Sequence, residues 1–290
     1  MKRHGSRPPA PGGVAIIGPG RLGQALGKVL RQAGVPVRLV AGRERRRAER
    51  AVRFIGGGRA VAWGDPEIAE AAVVVLTVAD SAIGPVARQL AGLRSDWRGR
   101  VTLHTCGSLG PEALQPLRAR GAAVGVLHPF QAVPQPSAGA RSLRGCYWNV
   151  DGDAPARTVA RQWVKRLDGR HFRILPGRQA LYHLAAFLVC PTTLTLMDQS
   201  EKWLRRAGVP RRMIRGMLAQ FVSETARNYQ AFGGRRALTG PVVRGDWQTV
   251  RKHLRVLRRG APETVDAYSA LVGLMARLAR QPLPSLHLKR

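Results

Sequence analysis

The 290-residue chain carries 48 Lys and Arg against 17 Asp and Glu, a formal net charge of +31, with 44% hydrophobic residues. That apolar content supports a packed core and excludes a disordered chain. The three cysteines, Cys106, Cys146 and Cys190, form no CxxC pair, which excludes a disulfide framework and a cysteine zinc site and points to a reducing compartment, the cytoplasm. The basic excess is spread along the chain, +17 over residues 1–176 and +14 over 177–290, and consists of 42 Arg to 6 Lys, so a polyanion- or nucleic-acid-binding reading rests on net charge alone.

In chain order, residues 1–13 are basic and rich in Pro and Gly and read as a flexible leader without a signal peptide's apolar core. Residues 14–176 then alternate β-branched runs with amphipathic stretches, the pattern of a Rossmann-type α/β domain with a parallel sheet and crossover helices. The expected strands are Val14–Ile17, Pro36–Ala41, Val73–Thr77, Val101–His104, Ala123–Leu127, Cys146–Val150 and Phe172–Leu175. The expected helices include Leu22–Gln32, Ala82–Leu90, Pro111–Arg120 and Ala154–Arg166. Pro176-Gly177 marks the junction to an all-α C-terminal domain, 177–290, with helices over Gln179–Ala207, Arg211–Phe232, Asp246–Leu257 and Pro262–Arg280. Leu181–Met197 is nearly uncharged, but His183, Pro191 and three threonines interrupt it, so it reads as a buried helix rather than a membrane span. Its apolar length also predicts a homodimer formed through the helical half.

Gly18-Pro-Gly20-Arg-Leu-Gly23 is a GxGxxG run between the first strand and the first helix. In that context Gly18 permits the turn, Gly20 admits a pyrophosphate, and Gly23 lets helix pack on strand, so Gly18, Gly20, Arg21, Leu22 and Gly23 are candidate dinucleotide-binding residues. Where an NAD-binding domain carries an acidic residue after its second strand, this chain reads Val40-Ala41-Gly42-Arg43. Arg43 suits the 2′-phosphate of NADP better than the ribose hydroxyl of NAD, while Arg45 to Arg47 read as a solvated helix face. Ligands of open α/β sheets sit beyond the carboxyl ends of the strands, which brings in Val78, Asp80 as a cap of the next helix, His104, Cys106 as an inert thiol, and His128 as a proton carrier. In the helical half, Thr239 and Arg244 in a Gly/Pro-interrupted loop are candidates to hold a small anionic substrate, and Asp246 reads as a helix cap.

Together Gly18–Gly23, Leu127-His-Pro-Phe-Gln131, Leu181-Tyr-His-Leu-Ala-Ala186 and Leu238-Thr-Gly-Pro-Val-Val-Arg-Gly-Asp246 resemble one family. It is the Rossmann-like family whose C-terminal half is domain of unknown function 2520, labelled as an NADP oxidoreductase, with an architecture like those of ketopantoate reductase, pyrroline-5-carboxylate reductase and 6-phosphogluconate dehydrogenase. The resemblance implies a helical domain that dimerises and closes a cofactor cleft. The family pattern carries a Lys three residues before the Tyr-His pair and an Asn eight after its His, where this chain has Gln179 and Pro191. A histidine, His183 or His128, is therefore the expected proton donor for reduction of a small carbonyl or imine compound, and a non-catalytic NADP sensor or scaffold is the alternative.

Overall fold

A computed structural model describes residues 12–285. Of the expected leader only Gly12 and Gly13 fall among them. The chain divides into two compact units, Met1–Thr193 and Leu194–Arg290. The first unit therefore reaches past the Pro176-Gly177 junction and includes the helix that follows it.

The first unit is built on an eight-stranded sheet: β1 (Val14–Ile17), β2 (Val37–Gly42), β3 (Arg59–Ala62), β4 (Val73–Leu76), β5 (Val101–His104), β6 (Ala123–Pro129), β7 (Tyr147–Gly152) and β8 (Arg170–Phe172). Their spatial order is β3-β2-β1-β4-β5-β6-β7-β8. All neighbours are parallel except β6 and β7. The sheet is thus mostly parallel, as expected, with one antiparallel pairing. The cause is the segment between β6 and β7, which holds only the short helix α5 (Pro136–Ser142) and does not carry the chain back across the sheet, as a parallel pairing requires. β3 was not foreseen, and β8 lies earlier than Phe172–Leu175.

The strands β1, β4 and β5 are buried along their whole length; β1 and β4 read as unbroken apolar runs, whereas β5 buries the polar Thr102 and His104 between its apolar residues. Successive residues still feed opposite layers. Val14 and Ile16 join a core with helices α1 (Arg21–Gln32), α2 (Arg45–Ile55) and α6 (Ala154–Arg166), whereas Ala15 and Ile17 join a core with α3 (Asp80–Ala91) and α4 (Gln115–Arg118). Trp148 and Trp97 are the bulkiest fully buried side chains of these two layers. After β8 come α7 (Gln179–Val189) and α8 (Pro191–Arg206), which replace the single helix expected over Gln179–Ala207. Pro191 occupies the first position of α8, where its missing N–H costs nothing.

The second unit contains the rest of α8, α9 (Arg211–Ala237), α10 (Trp247–Gly260) and α11 (Val265–Ala279). Gly233 kinks α9 with φ 72°. A small core of Val242, Val250, Leu254, Val272 and Ala276 joins α10 and α11. In contrast, α7 and α8 have no buried residue and α9 has one, Ile214. Leu181, Leu184, Phe187 and Leu188 are all more than half exposed, which corrects the expectation of a buried helix. Apolar residues run around α7 rather than along one stripe, so no single packing surface could cover them. By length and mean hydropathy alone, Gln179–Arg206 would suffice to cross a membrane.

Replacing Trp148 with Ala should lower the stability of the sheet unit by about 3–5 kcal/mol, the cost of emptying a large buried site. Chemical denaturation followed by circular dichroism checks this, and a loss under about 1 kcal/mol would show that the layer collapses around the gap.

Candidate active site

The first turn after β1 is shaped by three glycines with different tasks. Gly18 has φ +108°, a conformation that side chains rarely adopt, and a Cβ there would stand 2.8 Å from the Thr77 carbonyl oxygen. A Cβ on Gly20 would meet nothing within 4 Å, so open space lies over this backbone. A Cβ on Gly23 would collide with the Gly18 carbonyl and come within 2.5 Å of Thr77 Oγ1. Thr77 ties the turn down, its hydroxyl donating to the Gly18 carbonyl at 2.7 Å with the Ile17 carbonyl at 3.1 Å. Leu22 packs against the core and sets the direction of α1. The first turn of α1 holds no acidic residue and its cap, Gly20, makes no side-chain bond, so the helix end keeps its positive potential for an anion.

A cleft of about 680 Å³ opens over this turn, lined by Gly18, Gly20, Arg21, Arg43, Glu44, Arg47, Arg50, Trp63, Thr77, Val78 and Ser81 among others. Arg43, in the bend before α2, and Arg47 and Arg50, on its first two turns, line the cleft together, while Arg45 pairs with Glu49 at 3.2 Å. The Arg43 guanidinium lies 5.7 Å from the Trp63 ring. Arg47 is therefore a cleft residue and not part of a purely solvated face. An acidic residue also stands at this rim, since Glu44 lines the cleft and pairs with Arg47 at 3.6 Å.

Asp80 does not cap α3. It is the first helical residue, the cap position Ala79 makes no side-chain bond, and the Asp80 carboxylate accepts instead from Ser108 Oγ at 2.9 Å. Ser108 in turn contacts Cys106 Sγ at 3.1 Å, which ties the ends of β4 and β5 together. Burial raises the Cys106 thiol above its ordinary range, in keeping with an inert group. His104 is fully buried, with Nδ1 accepting from the Cys106 backbone N–H at 3.2 Å and Nε2 donating to the Gly110 carbonyl at 2.9 Å. Both its nitrogens are engaged in holding the loop, and burial keeps it neutral.

His128 stands at the carboxyl end of β6, with Nδ1 2.8 Å from the hydroxyl of Tyr182 on the first turn of α7. The rings meet edge to face, 5.4 Å apart at 84°, and Phe130 and Phe172 complete an aromatic surround of Tyr182. Burial, then the neighbouring His183, lowers His128 to about 4, and burial raises Tyr182 well above the usual phenol range. Asn149, buried and directly opposite His128 in the β6–β7 ladder, leaves its Oδ1 without a partner among the described residues. His183 is exposed on α7. Sequence reasoning passed over Tyr182, because helical periodicity does not reveal which of two adjacent residues turns inward.

In the second unit, Thr239 and Arg244 are exposed in the turn before α10. Gly240 and Gly245 take φ +104° and +69° there. Asp246 caps α10, accepting from Thr249 N–H at 3.1 Å and Oγ1 at 2.7 Å, as its position predicted. Gln179 lines a separate cleft of about 460 Å³ with Arg118, Asp151 and Arg173, in which Arg118 pairs with Asp153 and Arg173 with Asp151.

A doubly wound sheet whose glycine turn, helix end and basic rim meet at one cleft defines a Rossmann-type protein. Residues 3–129 match the Rossmann-like domain model, and residues 146–274 match the domain of unknown function 2520. The chain thus carries a Rossmann-like domain followed by the domain of unknown function 2520. No curated protein matches it. Among solved structures it is similar to a Bacteroides fragilis protein provisionally described as an NADP oxidoreductase (20% identity, 92% of this chain and 100% of that one, TM-score 0.74). It also resembles Plasmodium falciparum pyrroline carboxylate reductase with NADP bound (12%, 92% and 98%, 0.60) and an Aspergillus terreus reductive aminase in complex with NADPH (19%, 92% and 93%, 0.62). At these identities the likeness is one of fold.

The folded His128 titrates near 4 and the free side chain near 6.5. Between those values the unfolded state binds more protons, so stability rises with pH across the window. The contribution of His128 is whole above 6.5 and is lost as pH falls to about 4, by at most about 1.4 kcal/mol per pH unit. Denaturation midpoints at about pH 7 and about pH 5 should differ less in His128→Gln than in wild type. Equal differences would assign the acid sensitivity to other groups.

Proposed function

We propose that the protein is an NADP-dependent oxidoreductase that reduces a small carbonyl or imine compound. The observation that carries this reading is the cleft over the glycine turn, where a phosphate-accepting helix end and a basic face are built side by side. The end of α1 and the open backbone at Gly20 would hold the pyrophosphate, with Arg21 beside it and Val78 beneath. Arg43, joined by Arg47, would hold the 2′-phosphate, and the pairing of Glu44 with Arg47 keeps that carboxylate from favouring a ribose hydroxyl. NADPH, when bound, supplies a hydride. Asp80 and Ser108 hold the β4 and β5 loops at the same rim. The proton would come from the group formed by His128, Tyr182 and His183. In the second unit, Thr239 and Arg244, both exposed in the turn before α10, are proposed to hold an anionic group. The NADP-bound and NADPH-bound proteins of similar fold support this reading.

We further propose that the protein is a cytoplasmic homodimer whose interface is made by α7, α8 and α9. Their exposed apolar residues, among them Leu184, Leu188, Met217 and Phe221, need a covering surface that one copy lacks.

NADP should bind more tightly than NAD, and Arg43→Ala should remove roughly 1.5–3 kcal/mol of that preference, the scale of a charge-assisted bond. Calorimetry with both cofactors measures it, and equal affinities in wild type would refute the assignment. Sedimentation equilibrium should give a dimer, and a monomer that persists across concentrations would remove the proposed interface.

A further inference from the structure

Tyr182 and His128 form an arrangement that packing alone does not explain. His128 closes β6 on the same sheet rim as the glycine turn of β1 and the loops after β4 and β5, because these four strands are parallel. Its Nε2 edge lies against Gly107, where a Cβ would come within 2.7 Å. Among the described residues no carbonyl or carboxylate accepts from that nitrogen. A proton on Nε2 would therefore have no protein acceptor, whereas a proton on Nδ1 meets the Tyr182 oxygen at 2.8 Å. With the proton on Nδ1, the phenol oxygen accepts from the imidazole and its own O–H remains free for another acceptor. Phe130 and Phe172 fix the ring that carries it.

We propose that Tyr182 is the acid of the reaction, delivering its phenolic proton to the carbonyl oxygen or imine nitrogen, and that His128 is the positioning residue that holds its oxygen. This rests on the reductase reading above and replaces an open choice among three side chains with one. Bound NADPH would supply the electron pair, as hydride to carbon. The Tyr182 O–H bond breaks as the new O–H or N–H bond of the product forms. The phenolate recovers a proton from solvent while His128 Nδ1–H holds its oxygen, so each turnover consumes one hydride and one solvent proton and leaves the imidazole tautomer unchanged. Both side chains are neutral at neutral pH, which suits an acid that must hold its proton until charge develops on the substrate.

Two measurements test this. Long-range nitrogen–proton correlation spectra of imidazole-labelled protein, with and without NADP, report the His128 tautomer without any substrate. The expected result is a proton on Nδ1, and a proton on Nε2 alone, with Tyr182 donating to Nδ1, overturns the proposal. The second is NADPH oxidation across a panel of aldehydes, ketones and cyclic imines. Tyr182→Phe should keep NADP affinity within about threefold while lowering kcat at least about a hundredfold, the lower end of what an acid contributes. Near wild-type kcat in Tyr182→Phe overturns the assignment alone, and a His183→Ala loss as large as that of Tyr182→Phe moves it to His183. Wild-type protein that binds no NADP, or that reduces no member of the panel, overturns the reductase reading and this inference with it.

Discussion

The architecture hangs on how closely α1 approaches the end of β1. Gly23 lies so near the Gly18 carbonyl that a methyl group would not fit between them, and Thr77, reaching from β4, bonds the same carbonyl. Two strands and one helix are thereby locked at a point where backbone, not side chain, forms the surface. Because the lock uses carbonyls, the N–H groups of the first turn of α1 are left facing the cleft. Packing and anion affinity are two results of one contact.

Much of the sheet was legible in the sequence, for a physical reason. Strands buried on both faces are mostly apolar, so Val14–Ile17 and Val73–Leu76 show as runs with sharp ends. β3 escaped notice because it is a short edge strand in which only Val61 is buried. β8 was shifted because Arg170 and His171 are exposed and carry no apolar signature. Around the cleft, Gly18, Gly20, Arg21, Arg43 and Val78 were readable from their place after strands. Arg47 and Arg50, three apart on α2, could have been found as one face of that helix. Glu44 gave no signal, because one acidic residue between Arg43 and Arg45 to Arg47 leaves the segment basic.

The rest depended on tertiary structure. Which of Tyr182 and His183 faces the sheet is decided by how α7 is placed against Phe130 and Phe172, contacts separated by many residues in the chain. The role of Asp80 changed for a similar reason: Ser108, on another strand's loop, competes for a carboxylate that local rules assign to a cap. The apolar character of α7 was plain in the sequence, yet whether its cover comes from the same chain was not, because composition counts apolar residues without saying which surfaces are within reach.

The stacking of Arg43 on Trp63 has an optical consequence. The indole lines the cleft, and a charge beside an indole ring shifts its emission, so the Trp63 signal would depend on where the Arg43 guanidinium lies. An adenine phosphate arriving at this rim would draw the guanidinium away and change the surroundings of one tryptophan among six. The cleft thus contains its own reporter, and its occupancy can be followed by intrinsic fluorescence before any reaction partner of the protein is identified.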